Sequence, residues 1–332
     1  MPLPVSVKLS SIHCRDEADG IGDAEPYLWT IFFKIDGETI HQAPALPLLV
    51  GDAVFHFGPG SHGNLGTRSV DAGETVQIPA AIGEWQTELQ PIILTTRDST
   101  TIPFPGIVGA VAVLMEEDNV SDSGAEEGHQ ALNNFVRDEI NEFIHTINLS
   151  DFMGVDNPQD KLNELIEALK TKIQDGSAAV VSKAIQDAQW FGSNLWSGIN
   201  KDDKIGSVVY TFSQQDIVQR RYTINLNRRW QNEGDWEMFG VISAPDPCLG
   251  ARAAVNQQKA RIEQIEQQIR AVRAEMLHAS AAMRAQLQAE IAELEAQLVP
   301  LRAELQRLRT VLDRCYLRHS IVPDLGGVLV NA

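Results

Sequence analysis

The spacing of apolar residues changes several times along this 332-residue chain, and these changes constrain its fold more than any other feature. Residues 5–115 contain short apolar runs separated by Gly, Pro, Asp and Asn, which is typical of β-strands and turns. From Glu126 the apolar residues fall three or four apart, which predicts helices, and strand patterns return after Gly198. The clearest predicted strands are residues 5–14, 26–35, 75–79, 107–115, 207–213, 222–226 and 236–243. We therefore expect one discontinuous β-domain, residues 1–118 and 202–245, interrupted by a helical insertion over 119–201.

Beyond Pro247 two apolar seams with heptad spacing follow one another. The first seam contains Ile262, Ile265, Ile269, Val272 and Met276, and the second contains Leu287, Ile291, Leu294, Leu298, Leu301, Leu305, Leu308 and Leu312. One long helix and two antiparallel helices both fit this pattern. We favour an antiparallel coiled-coil hairpin over residues 248–316, followed by a tail over 317–332.

The cysteine positions favour the hairpin. Cys248 and Cys315 are equidistant from a turn near residues 280–283, so folding back brings them together, whereas a single rod separates them by about 100 Å. The hairpin interpretation predicts a disulfide or a close thiol pair, and the alternative is two unrelated buried thiols. The three cysteines lack the spacing of a structural zinc site.

The charge balance restricts the partners that this chain can bind. Its 27 Lys and Arg against 45 Asp and Glu give a net charge of −18, which argues against binding to a nucleic acid backbone and favours divalent cations. No signal peptide pattern and no run of eighteen uncharged apolar residues is present, so we expect a soluble protein without a spanning helix. The compartment is left undetermined by the sequence.

Acidic residues cluster at three predicted strand ends. The loop over residues 16–25 is rich in Asp, Glu and Gly, Glu116 and Asp118 end a strand, and Asp202 and Asp203 precede another. Calcium takes six to eight oxygen ligands, so carboxylates that converge on one pocket suit it. The first loop lacks the alternating ligands and flanking helices of an EF-hand.

This layout resembles the C2 domain family of calcium-dependent phospholipid-binding β-sandwiches. Asp19 with Glu25-Pro26-Tyr27 matches one family loop, whereas Glu116, Asp118 and the segment Asp203-Lys-Ile-Gly206 match another. The resemblance implies an α+β fold with an eight-stranded antiparallel C2-like β-sandwich. It implies these calcium ligands: Asp19, Glu25, Glu116, Asp118 and Asp203, with Asp16, Asp23 and Asp202 in reserve. Glu replaces the usual Asp at positions 25 and 116, and about eighty residues occupy a loop that is normally short.

The resemblance implies a non-catalytic module that uses calcium to dock on anionic phospholipid or on a protein partner. Two alternatives stay open: a structural or assembly protein in which calcium only stabilises the fold and the hairpin contacts another copy or a partner, and a membrane-active toxin or effector. No nucleophile signature is present, so we expect no enzyme activity. Family calcium loops face the membrane, which makes Trp190, Phe191 and Trp196 candidates for membrane contact. Burial in a core is favoured over this, because the amphipathic helices need a surface to bury against and no strongly cationic face accompanies them. We interpret the glycine-rich segment 58–66 as a turn or loop.

Overall fold

The computed structural model describes residues 2–17, 24–44, 46–67, 69–95, 101–117, 122–149, 204–231 and 234–319, together with residues 164, 168, 171 and 175. It divides the chain into two units, Met1–Pro245 and Asp246–Ala332. The first unit contains antiparallel sheets with helices, and the second contains two helices. The α+β class that the sequence predicts is therefore confirmed.

Among the described residues, the first unit consists mainly of strands, and three helices lie between them in the chain. The strands are β1 (Leu3–Asp16), β2 (Pro26–Ile35), β3 (His41–Gln42), β4 (Leu49–Val50), β5 (Val54–Phe57), β6 (Thr75–Gln77), β7 (Glu84–Leu89), β8 (Ile92–Thr95), β9 (Thr101–Phe104), β10 (Ile107–Glu116), β11 (Lys204–Ser213), β12 (Thr223–Trp230) and β13 (Asp235–Ser243). The helices are α1 (Ala80–Gly83), α2 (Asp122–Thr146) and α3 (Gln214–Gln219).

Two larger sheets and two small ribbons organise these strands. A five-stranded sheet has the order β12-β13-β1-β6, with β7 also paired to β1, and a four-stranded sheet has the order β11-β10-β2-β5. β3 pairs with β4 and β8 pairs with β9. Every residue of β2 is buried, and so is nearly all of β10, because both strands are mainly apolar and bury two faces rather than one. Among the described strands, neither larger sheet is closed.

Helix α2 belongs to the core of the first unit. Its apolar stripe of Leu132, Val136, Ile140 and Ile144 is 0–2 % exposed, as the helical spacing of these residues predicts. The helix is also attached through polar groups, because the Ala53 N–H donates to Asn141 Oδ1 at 2.9 Å. Beyond residue 149 the predicted helical insertion lies outside the described residues, apart from residues 164, 168, 171 and 175, which are helical.

A buried ion pair lies at the end of the four-stranded sheet where β2 ends and β10 begins, which we call the distal end. Lys34 and Asp36 are 3 % and 0 % exposed, and Lys34 Nζ lies 3.2 Å from Asp36 Oδ2. Lys34 Nζ also donates to the Glu88 carbonyl at 2.9 Å, whereas Asp36 Oδ2 accepts from the Gln90 N–H at 2.8 Å. These contacts tie the end of β2 to the end of β7, so they stabilise the distal end.

The second unit is a pair of antiparallel helices, α4 (Leu249–Met276) and α5 (Ala281–His319). Ile262, Ile269 and Leu298 form part of the buried seam between them. Ion pairs Arg273–Glu295 and Arg302–Glu266 flank this seam at 2.7 and 2.9 Å. The connection occupies residues 277–280, slightly before the predicted turn near residues 280–283, because α5 already begins at Ala281.

A disulfide joins the two helices of the second unit at the ends remote from the turn. Cys248 and Cys315 are bonded, and their Cα atoms lie 5.9 Å apart. Cys248 is buried together with Val255 and Leu312 in a small apolar cluster. The third cysteine, Cys14, is free and buried in the first unit.

Candidate functional site

The site lies where β2 begins and β10 ends, opposite the distal end, and we call it the acidic end. Glu116 pairs with Pro26, and Met115 pairs with Lys204 on the other side of β10. The Glu117 N–H donates to the Glu25 carbonyl at 3.0 Å, so the ladder continues past the last paired strand residues. The segments that begin β2, end β10 and begin β11 are therefore neighbours in one sheet.

The described members of the predicted ligand set are Glu25, Glu116 and the reserve Asp16. Glu25 is exposed and Glu116 is half-buried, and both lie at the acidic end of the four-stranded sheet. Asp16 ends β1 in the five-stranded sheet, opposite Asp235. The remaining candidates, Asp19, Asp23, Asp118, Asp202 and Asp203, lie outside the described residues. Within the part of the chain that the structure describes, no three His, Cys, Asp or Glu side chains are grouped so as to hold a metal ion.

The negative charge at the acidic end affects the pKa of the Cys14 thiol. Burial, followed by the charge of Glu17 and smaller contributions from Asp16 and Glu116, raises the pKa of Cys14 to about 12. Carboxylates from β10 and from the end of β1 therefore act on the same point between the two sheets. The thiol is protonated and unreactive at neutral pH because the thiolate is the nucleophilic form.

Glu17 Oε2 and the indole nitrogen Nε1 of Trp236 are among the buried polar atoms that lack hydrogen-bond partners within the described residues. Gly234, close to both residues, has φ +76°. A Cβ at this position would lie 2.2 Å from the Asp16 carbonyl oxygen and 2.8 Å from Trp236 Nε1, so a side chain here would collide with the end of β1 and with the indole ring.

The glycine-rich segment 58–66 is fixed against the start of β2. Asn64 donates from Nδ2 to the Leu28 carbonyl at 2.8 Å and accepts the Leu28 N–H at 3.0 Å. Trp29 Nε1 donates to the Gly60 carbonyl at 2.8 Å, and His62 Nδ1 lies 3.2 Å from a carboxylate oxygen of Glu117. The segment contains a turn, as its composition indicates, and its hydrogen bonds hold it against the start of β2.

The first turns of α2 pack on the same segment. Gly60 N–H donates to Glu126 Oε2 at 2.9 Å, and the ring of His129 stacks on Trp29 with 5.7 Å between centroids. A Cβ at position 60 would lie 2.3 Å from His129 Nδ1, so only glycine fits there. Desolvation of the buried ring lowers the pKa of His129 to about 4, although the charge of Glu126 opposes this shift.

We expect the first unit to lose stability as the pH falls from 6.5 toward 4. His129 takes up a proton in the unfolded chain near pH 6.5 but in the folded unit only near pH 4, so acid favours unfolding in this window. The loss attributable to this residue is about 2 kcal/mol between pH 7 and pH 4.5. Urea unfolding of the wild type and of His129→Gln at both pH values measures it as the difference between their pH dependences.

His145→Gln is the matched control for this prediction, because His145 lies on the same helix but is exposed. It should keep the wild-type pH dependence. An identical pH dependence in His129→Gln and the wild type would contradict the prediction.

The residues proposed for membrane contact, Trp190, Phe191 and Trp196, lie outside the described residues. None of the helices that the structure describes is long and apolar enough to cross a membrane. Searches found no matching family model, no matching curated protein and no matching solved structure.

Proposed function

We propose that the acidic end binds calcium and that the first unit is a C2-like module which docks, when loaded with calcium, on an anionic lipid surface. The observation that carries this proposal is the backbone pairing of Glu25 and Pro26 with Glu116 and Glu117, beside the pairing of Met115 with Lys204. The start of β2, the end of β10 and the start of β11, which adjoin the three acidic segments in sequence, therefore lie side by side.

The strand count supports a C2-like eight-stranded sandwich. β13 pairs along one side of β1, and both β6 and β7 pair with β1 at different residues. β6 and β7 therefore act as one edge strand interrupted by α1, and each larger sheet then has four strand positions. Side chains from the two sheets meet, since the Phe32 and Trp85 rings lie 6.2 Å apart.

The proposed ligands are Glu25 and Glu116 with Asp19, Asp118 and Asp203. In sequence, Asp118 follows Glu116 by two residues and Asp203 directly precedes Lys204. Carboxylates at this density favour calcium, which takes six to eight oxygen ligands from side chains, carbonyls and water.

Charge explains why docking on an anionic surface requires the ion. Residues 1–245 contain sixteen Lys and Arg against thirty-five Asp and Glu, a net charge of −19. An acidic end without calcium repels anionic phospholipid, whereas a bound calcium accepts phosphate or carboxylate oxygens from the headgroups.

Calorimetric titration should detect calcium binding, and removal of two proposed ligands should weaken it at least about tenfold because affinity depends on ligand charge. The test variant is Asp19→Asn with Asp118→Asn, and the matched control is Glu88→Gln on β7, which removes an exposed carboxylate near the distal end. Vesicles of phosphatidylserine and phosphatidylcholine should sediment the wild type with calcium but not with chelator.

Calcium binding that is absent in the wild type, or equal in the wild type and the double variant, would overturn the calcium site. Calcium binding without vesicle binding would leave the ion site in place and transfer the docking role to a protein partner. Equal sedimentation with calcium and with chelator would exclude calcium-dependent docking.

A further inference from the structure

We propose that the free edge of β12 is a docking site for an extended acidic peptide, which adds to the five-stranded sheet as a further strand. None of the calcium ligands proposed above belongs to this edge, and binding of the peptide requires no calcium. The tests below are therefore carried out with chelator present, and their outcome is independent of the proposed function.

β12 is the outermost strand of the five-stranded sheet, and within the described residues only one of its sides pairs with another strand. The Ala244 N–H donates to the Tyr222 carbonyl, and the pairing with β13 continues from there for eight residues without a register shift. Main-chain groups of an antiparallel strand alternate between its two sides. Four residues of β12 therefore direct their N–H and C=O groups away from β13: Thr223, Asn225, Asn227 and Arg229.

This edge lacks several of the features that usually protect an outer strand, which are short length, proline, a bulge or a covering segment. β12 has eight residues, contains no proline and shows no bulge in its pairing with β13. The opposite edge of the same sheet is shared by β6, with three residues, and β7, with six, and α1 lies between them. The four residues of β12 that face outward along the edge are exposed, so a peptide can reach them.

Four exposed arginines flank the edge of β12. Arg220 and Arg221 come directly before the strand, and Arg228 and Arg229 lie near its end. Residues 217–232 contain these four arginines and no Asp or Glu, although the first unit as a whole has a net charge of −19. The edge is therefore a positive strip on an acidic unit, and it attracts negatively charged partners.

Most of this positive charge is available to a partner. Arg229 forms an ion pair with Asp235. Within the part of the chain that the structure describes, no ion pair joins the other three arginines to a carboxylate. A carboxylate from a docked peptide would therefore gain a new partner rather than compete with an existing one.

An unusual turn fixes the first arginine pair at the start of β12. Arg221 and Tyr222 have φ +58° and +64°, which residues other than glycine rarely adopt, and such residues concentrate at functional sites. Tyr222 is 2 % exposed, and its N–H donates to the Ile217 carbonyl at 2.8 Å. The Arg220 guanidinium lies over the Phe212 ring at 5.8 Å. The turn therefore holds both arginines beside the free edge.

A second copy of β12 is a poorer occupant of the edge than an acidic peptide. Two copies of one strand pair antiparallel about a two-fold axis, so the start of one lies beside the end of the other. Arg220 and Arg221 of each copy would then lie near Arg228 and Arg229 of the other, and like charges on opposed strands are destabilising. Charge therefore selects against self-pairing.

An extended peptide with acidic residues near both ends avoids this repulsion. β12 measures about 24 Å from its first to its last Cα atom, so eight extended residues of a peptide reach both arginine pairs. The main-chain groups of the peptide pair with those of Asn225 and Asn227, and its carboxylates meet the arginines. Main-chain bonds then supply affinity for any extended strand, whereas the arginines supply the preference for an acidic one.

Fluorescence anisotropy with a labelled probe peptide provides the first test. The acidic probe has six alternating threonine and valine residues with two glutamates at each end, and a second probe has lysines in place of the glutamates. The wild type should bind the acidic probe and should bind the lysine probe at least about tenfold more weakly. Added salt should weaken binding of the acidic probe because it screens exposed charges.

Asn225→Pro tests strand addition itself, because proline has no N–H to donate. The Asn225 N–H points away from β13, so its removal leaves the hydrogen bonds within the sheet in place. Affinity for the acidic probe should fall at least about tenfold. Asn225→Thr, which keeps the N–H and favours a strand, is the matched control and should bind as the wild type does. Circular dichroism and thermal unfolding establish that each variant is folded.

Arg221→Glu with Arg228→Glu tests the charge preference without altering the main chain. This double variant should bind the acidic probe at least about tenfold more weakly and should prefer the lysine probe. Arg137→Glu, which reverses an exposed arginine on α2, is the control and should keep the wild-type preference.

Weaker binding of the acidic probe by both variants, together with the reversed preference of the double variant, supports the inference. A wild type that does not bind the acidic probe, or folded Asn225→Pro that binds it as well as the wild type does, would overturn it. Phosphatidylserine vesicles that bind in chelator through the arginines, without binding of the probe, would assign the edge to lipid instead. A dimer in sedimentation velocity that Asn225→Pro abolishes would assign it to a second copy, and either result would overturn the peptide site.

Discussion

Replacing Asp36 with Ala should lower the free energy of unfolding of the first unit by about 3–5 kcal/mol. The substitution removes the buried carboxylate that faces the Lys34 ammonium, which is 3 % exposed, and leaves it, among the described residues, only the exposed carboxylate of Glu38 as an ionic partner. It also removes the acceptor of the Gln90 N–H. Urea unfolding followed by far-ultraviolet circular dichroism measures the loss.

A double variant separates the ion pair from the shape of the site. Lys34→Met with Asp36→Leu removes both charges and should lose much less stability than Asp36→Ala, because neither charge is left buried alone. Asp52→Ala is the control, since its side chain is 68 % exposed. A loss below about 1 kcal/mol in Asp36→Ala would show that the pair contributes little.

Removing the Cys248–Cys315 disulfide should destabilise the helical pair of the second unit by about 4 kcal/mol. The bond joins residues separated by 67 positions, and closing a loop of this length restricts the unfolded chain. Amide hydrogen exchange in α4 and α5 of the full chain, with and without reductant, measures the change directly.

The double variant Cys248→Ser with Cys315→Ser should exchange as fast as the reduced wild type and should not respond to reductant. Cys14 is free, so its own chemistry does not add to the effect of reductant. Protection of α4 and α5 that is unchanged by reductant would contradict a stabilising role for the disulfide.

Long, continuous patterns made much of the fold predictable. The mainly apolar run of β2 and the helical stripe of α2 identify their elements because each depends on local spacing. The short β3–β4 and β8–β9 ribbons were not predicted, since two to four residues carry too little pattern. The first unit also contains consecutive left-handed residues, Arg221 at φ +58° and Tyr222 at φ +64°, which tertiary packing imposes and composition does not signal.

The candidate site was predictable only in its outline. Glu25 and Glu116 were expected at neighbouring strand ends, because Glu25 directly precedes one apolar run and Glu116 directly follows another. The unsatisfied buried atoms of Glu17 and Trp236 were not predicted: an aromatic residue in an alternating strand indicates a core position, and an unsatisfied indole N–H depends on tertiary placement. The Glu117–His62 contact was missed for the same reason, since the two residues are 55 positions apart.

The central position of β1 in the five-stranded sheet has a consequence for synthesis on the ribosome. β1 is the first strand of the chain, yet its partner β13 ends at Ser243, and Ser6 pairs with that residue. Until residue 243 has emerged from the ribosome, the backbone N–H and C=O groups of β1 that pair with β13 have no partner strand. An unpaired strand edge of this kind can pair with strands of other chains. Emergence of residue 243 from the ribosome therefore marks the point at which β1 can first pair along this side.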